Sequence, residues 1–310
     1  MYMLYADHVA ILSEKTKLFE IYMEPMLQKL EAFAPTGPLP PDVPEFHQYL
    51  EVCRWPFRKL EYSFALDALL DHLKPGDRFL DAGCGVTPFA HVLAGQGFQA
   101  EACDGDRRLI EALDRLRPER IYGSTVAYAA QDLTSITYPD AAFEAISCIS
   151  VLEHIPAPLD QKAIRELLRV LKPGGLLILT VDFTPTAARG WGYFARRAGD
   201  LARDGNFREI GRGLMRKLEA RQSVIQGEVR QPRSANQCFQ VEHLEQDILP
   251  VLQGEAVASR LSFSTDLRSF TPDHARRLWD LEVGLYEKHG KRAVLPAAYL
   301  LRKSAIPVAA

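Results

Sequence analysis

The chain is poor in cysteine. Its 310 residues hold five, Cys53, Cys84, Cys103, Cys148 and Cys238, an odd number without a Cys-x-x-Cys pair. That count excludes a disulfide framework and argues against a zinc site, so no metal is expected. Four of the five sit among apolar or strand-like residues, where buried reduced thiols are the expectation. Long apolar runs are also missing. The longest largely apolar stretch, Leu176–Val181, is far short of the roughly 18 residues of a membrane helix, so no stable membrane insertion is expected. An excess of one charge is absent too. Lys+Arg number 37 and Asp+Glu 40, a net charge of −3, which argues against a nucleic-acid partner. Met1–Lys15 carries early charges and lacks a signal-peptide layout, so a cytoplasmic location is expected. What remains is globular: 47% hydrophobic and 25% charged residues are ordinary values for a packed domain.

The order of elements narrows the fold. Phe19, Tyr22, Met26, Leu30 and Phe33 recur at spacings of three and four, which predicts an amphipathic helix over 14–33. Five prolines between Pro35 and Pro44 break the chain there. A second helix is predicted over 46–73, ending at Lys74-Pro75-Gly76-Asp77, a sequence suited to a type II turn. Strand-like segments then follow at 78–81, 99–104, 125–130, 143–147 and 176–182. Helical segments lie between them near 88–95, 106–116 and 160–172. Strands alternating with helices imply βαβ units and a mainly parallel sheet, the α/β class. The rhythm stops over 184–255 and resumes with a strand at 257–263, a helix opened by Thr271-Pro272, and a last strand at 297–302.

Phe79-Leu-Asp81-Ala-Gly83-Cys-Gly85-Val-Thr87-Pro88 is the most informative segment. A strand enters a loop with two glycines, and Pro88 opens a helix. Glycine allows a sharp turn and close approach of a ligand, and a helix N-terminus favours negative groups. The next strand ends at Asp104, where a carboxylate can accept hydrogen bonds from both hydroxyls of a ribose. A dinucleotide loop would have its third glycine where Pro88 stands, which counts against a nicotinamide-dependent oxidoreductase.

Five segments in order resemble the class I S-adenosylmethionine-dependent methyltransferases. They are Asp81-Ala-Gly83-Cys-Gly85; Asp104; Gln131-Asp132-Leu133; Phe143–Ser147 with Val151-Leu-Glu153-His154-Ile155; and Leu168–Gly175. The loop departs from the common pattern only in having Thr87 as its third small residue. The resemblance implies a Rossmann-like sheet of seven strands, mainly parallel with an antiparallel last strand, joined by an N-terminal helical segment and a helical insertion. It implies S-adenosylmethionine as cofactor and S-adenosylhomocysteine as product. Asp81, Gly83, Gly85 and Asp104 would hold the cofactor, with Asp132 and Leu133 at the adenine. Tyr62 would act from the helix before the core, where Arg58 and Lys59 also lie. His154 would border the transferred methyl as base, with Asp182 and His243 as further candidates. A half-buried structural Tyr62 and a His154 bonded only within its loop are the competing readings. The implied acceptor is a small molecule such as a sugar, lipid or natural-product intermediate, with oxygen favoured. A non-catalytic binding module is the alternative.

The implied organisation is a cover at 1–75, a cofactor-binding core at 76–183, an insertion over the acceptor at 184–255, and completion of the core by 256–310. Within the insertion, residues 189–221 carry nine basic and four acidic side chains, a local charge of +5 against −8 elsewhere. Three readings stand: a solvated helical face, a membrane-surface helix, and a pocket cover whose arginines meet an anionic acceptor.

Overall fold

The computed structural model describes residues 16–33, 52–184, 239–240, 247–248, 250–252, 256–261 and 295–303. Helix α1 (Glu24–Phe33) follows a wide π-turn over Phe19–Met23. Helix α2 (Pro56–His72) leads into the core. The core then runs β1 (Arg78–Ala82), α3 (Phe89–Gly95), β2 (Gln99–Asp104), α4 (Arg107–Leu116), α5 (Pro118–Tyr122), β3 (Ala127–Ala130) and β4 (Phe143–Ile149). It continues with a 3-10 turn at Leu152–His154, α6 (Leu159–Val170), β5 (Leu171–Thr184), β6 (Phe239–Gln240), β7 (Ala256–Leu261) and β8 (Leu295–Lys303).

The strands form one sheet in the order β3-β2-β1-β4-β5-β8-β7, with β6 paired to β5 off this path. Strands β1 to β5 pair in parallel, and β8 is antiparallel to both β5 and β7. The described sheet therefore has eight strands rather than seven, the addition being the two-residue β6.

Side-chain alternation explains why both faces are covered. Phe79, Ala145 and Ile178 pack with α1 to α4 on one face, whereas Leu80, Ile146, Leu177 and Leu179 pack with α6 on the other. Successive residues of a strand point to opposite faces, so a strand buried on both sides reads as nearly continuous apolar sequence. Ile248 and Leu252, at the end of the predicted insertion, belong to the α6 layer. The predicted helix over 271–285, the basic stretch 189–221 and His243 lie outside the described residues.

Helix ends follow local chemistry. Pro56 occupies the first turn of α2, where a missing N–H costs nothing, and α2 starts there; residues 46–51 of the predicted helix lie outside the described residues. Asp106 caps α4 by accepting from the Arg108 backbone N–H at 2.9 Å. Lys303 Nζ of β8 donates to the carbonyls of Leu168 and Leu171 at 2.7 and 2.8 Å, satisfying the end of α6. The segment Lys172–Gly175, which reads as a turn in sequence, lies within β5. It is accommodated as an irregularity in the register between Phe143 and Ala145, with Gly174 at φ +76°.

Two positions in this framework are tightly constrained. Gly83, in the loop after β1, has φ +80°, and its N–H donates to the Cys103 carbonyl at 2.8 Å. A Cβ at this position would lie 2.3 Å from Cγ2 of Val151 in the loop after β4. The close neighbour that demands glycine is thus a protein side chain. Gly83→Ala should destabilise by more than the roughly 1–2 kcal/mol of a left-handed backbone penalty. Val151→Ala in the same chain should recover part of the loss in urea denaturation, and no recovery would discard the contact as the cause.

His91 of α3 is completely buried between the rings of Tyr122 and Tyr128. Its Nδ1 lies 3.0 Å from Ser124 Oγ, while Nε2 has no partner. Burial pushes the imidazole down to about 4, so it is neutral in the fold. The unfolded chain takes up this proton first as pH falls through its ordinary value of 6.5. The stability present above that value is therefore lost toward pH 4. Between about pH 7.5 and pH 5 wild type should lose about 2 kcal/mol more than His91→Phe. Equal losses in paired denaturant titrations would refute the assignment.

Candidate active site

In a sheet of this order the succession of strands reverses between β1 and β4, and ligands of open α/β sheets bind outside the carboxyl ends of the strands at that point. The Asp81–Gly85 loop and Asp104 lie on the β1–β2 side. Ser150, Glu153, His154 and Asp182 lie at the ends of β4 and β5. Helix α2 brings Arg58, Glu61 and Tyr62 from before the core.

On the β1–β2 side two carboxylates are held by the backbone and one hydroxyl. Asp104 Oδ2 accepts from the Gly85 N–H at 3.0 Å, and Oδ1 accepts from the Asp106 N–H at 2.8 Å. The glycine loop and the end of β2 are therefore one unit. Each oxygen keeps a further lone pair for a hydroxyl donor. Burial raises the Asp104 pKa, while the Asp106 and Gly85 N–H groups oppose it. Asp81 is buried and accepts from Ser147 Oγ at 2.7 Å. Burial pushes it up to about 7, Ser147 opposing and Asp104 adding to the rise. Gly85 has φ +53°.

The other predicted cofactor residues differ in access. Asp132 is exposed, and its Oδ1 accepts from the Thr134 N–H at 2.8 Å in a turn. The Leu133 side chain is packed into the core beneath that turn. Tyr62 is buried against Phe89, with ring centroids 5.2 Å apart, and its hydroxyl bonds to Thr87. It meets the loop through Thr87, from within the core.

The β4–β5 side is an ionic cluster. Arg58 donates to Glu61 and to Ser150 Oγ, and through its second terminal nitrogen to Asp182 Oδ2 at 3.1 Å. Ser150 Oγ donates to the other Glu61 oxygen at 2.8 Å. The Ser150 N–H donates to the Thr180 carbonyl at 2.9 Å, which fixes Ser150 at φ +52°. Such backbone conformations persist where the surroundings over-determine them. Glu153 accepts the Asp182 N–H at 3.1 Å, and its second oxygen is buried without a partner. Burial works against the Arg58 charge, but Asp182, Glu61 and Glu153 more than offset it, so the guanidinium stays charged. Burial raises Glu61 despite Arg58, and raises Glu153 strongly, with Asp182 adding.

His154 is exposed between these two halves. Its pKa is lowered by desolvation and by Arg58, with Asp104 opposing. A neutral imidazole near pH 7 follows. No metal-holding group of His, Cys, Asp and Glu occurs among the described residues. Among residues flagged in the sequence, Asp81, Asp104, His154, Asp182 and Arg58 meet at this edge. Glu61 and Ser150 carry no motif; the signal that could have found Glu61 is its i,i+3 spacing from Arg58 on a helix with a buried face.

The family of methyltransferase domains matches residues 55–239. A 2-methyl-6-phytyl-1,4-hydroquinone methyltransferase of Synechocystis is 32% identical over 113 residues, 36% of this chain and 33% of that protein. A ubiquinone biosynthesis O-methyltransferase of Xanthomonas campestris is 35% identical over 132 residues, 42% of this chain and 51% of that one. The chain thus spans a third to a half of the length of these relatives. Among solved structures, an S-adenosylmethionine-dependent methyltransferase from Methanosarcina mazei has 17% identity and a TM-score of 0.47, covering 76% of this chain and 97% of the other. With the family match extending over more than half of its length, the chain belongs to the methyltransferase-domain family, of the class I S-adenosylmethionine-dependent type.

Proposed function

We propose that the protein transfers the methyl group of S-adenosylmethionine to an oxygen of a small-molecule acceptor. The observation that carries this reading is Asp104 bonded to the Gly85 N–H, which sets a ribose-binding carboxylate against a glycine loop. In this reading Asp104 holds the ribose, the Gly83–Gly85 backbone lies along the amino-acid portion, and Asp132 with the Leu133 backbone meets the adenine. Asp81 supports the loop through Ser147. The bound cofactor supplies a methyl on a positively charged sulfur. The chain's task is to hold the acceptor in line with it, since orientation contributes several kcal/mol of barrier lowering. His154, neutral and exposed at the boundary of the two halves, is placed to take a proton from an acceptor hydroxyl. Relatives named as a 2-methyl-6-phytyl-1,4-hydroquinone methyltransferase and a ubiquinone biosynthesis O-methyltransferase support a hydroxylated aromatic acceptor.

Calorimetric titration with S-adenosylhomocysteine tests the reading. Wild type should bind, and NADH should not. Asp104→Asn, with its fold verified by circular dichroism, should bind about 10- to 100-fold more weakly, the effect of losing a hydrogen bond to a charged group. An unchanged affinity would remove Asp104 from the site, and no binding by wild type at millimolar ligand would end the proposal.

A further inference from the structure

Resting on the reading above, we infer that Arg58 is a positioning residue for His154: from α2, through Ser150 and Asp182, it sets the loop that carries the imidazole at the mouth formed by the strand ends. The loop between β4 and α6 holds a single 3-10 turn, Leu152–His154. Inside it the His154 N–H donates to the Val151 carbonyl at 2.9 Å, and the Ile155 N–H to the Leu152 carbonyl at 3.0 Å. Those bonds shape the turn, but they are local and do not fix it to the rest of the protein. Its place over the sheet comes from partners outside the loop.

The polar partners lead back to one guanidinium. Ser150, the first residue of the loop, has φ +52°. Such a conformation costs about 1–3 kcal/mol and persists only with support from elsewhere. The Ser150 N–H is held by the Thr180 carbonyl at 2.9 Å, and its Oγ accepts from Arg58 while donating to Glu61. At the far side of the turn Glu153 accepts the Asp182 N–H at 3.1 Å, and the Asp182 carboxylate accepts from Arg58, also at 3.1 Å. Leu152, between these two ties, is buried in the α6 layer, and Val151 lies against Gly83. The apolar contacts set the depth of the turn. The polar ties set the way it faces, and Arg58 joins both. Serving Glu61, Ser150 and Asp182 from two terminal nitrogens needs a planar fork, which a lysine ammonium lacks.

The charge of Arg58 adds a second effect in the same direction. Desolvation holds the His154 imidazole below its ordinary range, Arg58 lowers it further, and Asp104 of β2 opposes both. Glu153, beside it in the turn, and Asp182 at the end of β5 act on Arg58. The cation that places the loop thus also favours the unprotonated imidazole, the form able to take a proton. Placement matters for the reaction because a misplacement of about 1 Å can cost about 100-fold in rate.

The test reads His154 directly in the full-length protein, with S-adenosylhomocysteine as the probe. Wild type, Arg58→Lys, Arg58→Met and Ser150→Ala carry isotope-labelled histidine for NMR, and His154→Gln assigns the signal. Saturating S-adenosylhomocysteine should move the wild-type His154 signal. In Arg58→Lys and Ser150→Ala that response should shrink at least about threefold and hydrogen exchange over 151–155 should rise at least about tenfold, with β1 and α6 unchanged. The imidazole titration separates charge from bonding: its midpoint should stay at the wild-type value in Arg58→Lys and Ser150→Ala and rise in Arg58→Met. Calorimetric affinity for S-adenosylhomocysteine should stay within about threefold throughout. If an Arg58 variant does not fold, Ser150→Ala decides. A His154 signal indifferent to the bound probe would overturn the inference. So would a response and exchange unmoved by the variants, an exchange increase spread evenly over the fold, a midpoint that does not rise in Arg58→Met, or loss of S-adenosylhomocysteine affinity in Arg58→Lys. Failure of wild type to bind S-adenosylhomocysteine would instead overturn the methyltransferase reading beneath it.

Discussion

The Arg58 guanidinium ties the structure together. From the helix that precedes the core it bonds to Glu61 of the same helix, to Ser150 just after β4 and to Asp182 near the end of β5. Removing one partner of a buried ion pair costs about 3–5 kcal/mol, because the charge left behind has no solvent. Here one removal would strand two bonded carboxyl groups, Glu61 and Asp182, at once. The backbone follows the same constraint: Ser150 sits at φ +52° with its hydroxyl between Arg58 and Glu61 and its N–H on Thr180. The shape of the β4 loop, and with it the place of His154, depends on that charge.

The other half of the mouth is built on a different principle. Asp104 is held by two backbone N–H groups and not by a cation. Its negative charge is therefore stabilised without being neutralised, which suits a carboxylate meant to accept hydroxyl donors. Asp81, with a single hydroxyl donor and deep burial, is pushed up to about 7. Two carboxylates of one loop region thus take different protonation behaviour from their surroundings alone.

The core was legible because its signals are local. The apolar runs at 78–82, 143–149 and 176–181, the Asp106 cap and the glycine loop each depend on neighbours in sequence. Asp104 could be placed because it ends a strand after a recognisable loop. Parts that depend on distant residues were not legible. The Lys172–Gly175 segment reads as a turn, and only the pairing of the flanking Leu171 and Leu176 with β4 carries it inside a strand as an irregularity. Gly83 reads as room for a ligand, and Val151, far along the chain, is what fills the space. Glu61 and Ser150 have no motif because their role is defined by Arg58, a residue 92 positions from Ser150. The two-residue β6 offers too few residues for any periodicity.

The position of Arg58 also bears on where this protein can be divided. Drawn from sequence, the natural cut between cover and core falls just before β1. In the folded chain that cut would separate Arg58 from Ser150 and Asp182, the latter across 124 positions. A contact of such sequence separation forms only after most of the intervening chain is in place. Helix α2 is therefore part of the core in electrostatic terms, whatever its place in the sequence. A fragment beginning at residue 76 would lose the α1–α2 part of one apolar layer and leave Asp182 without its cation.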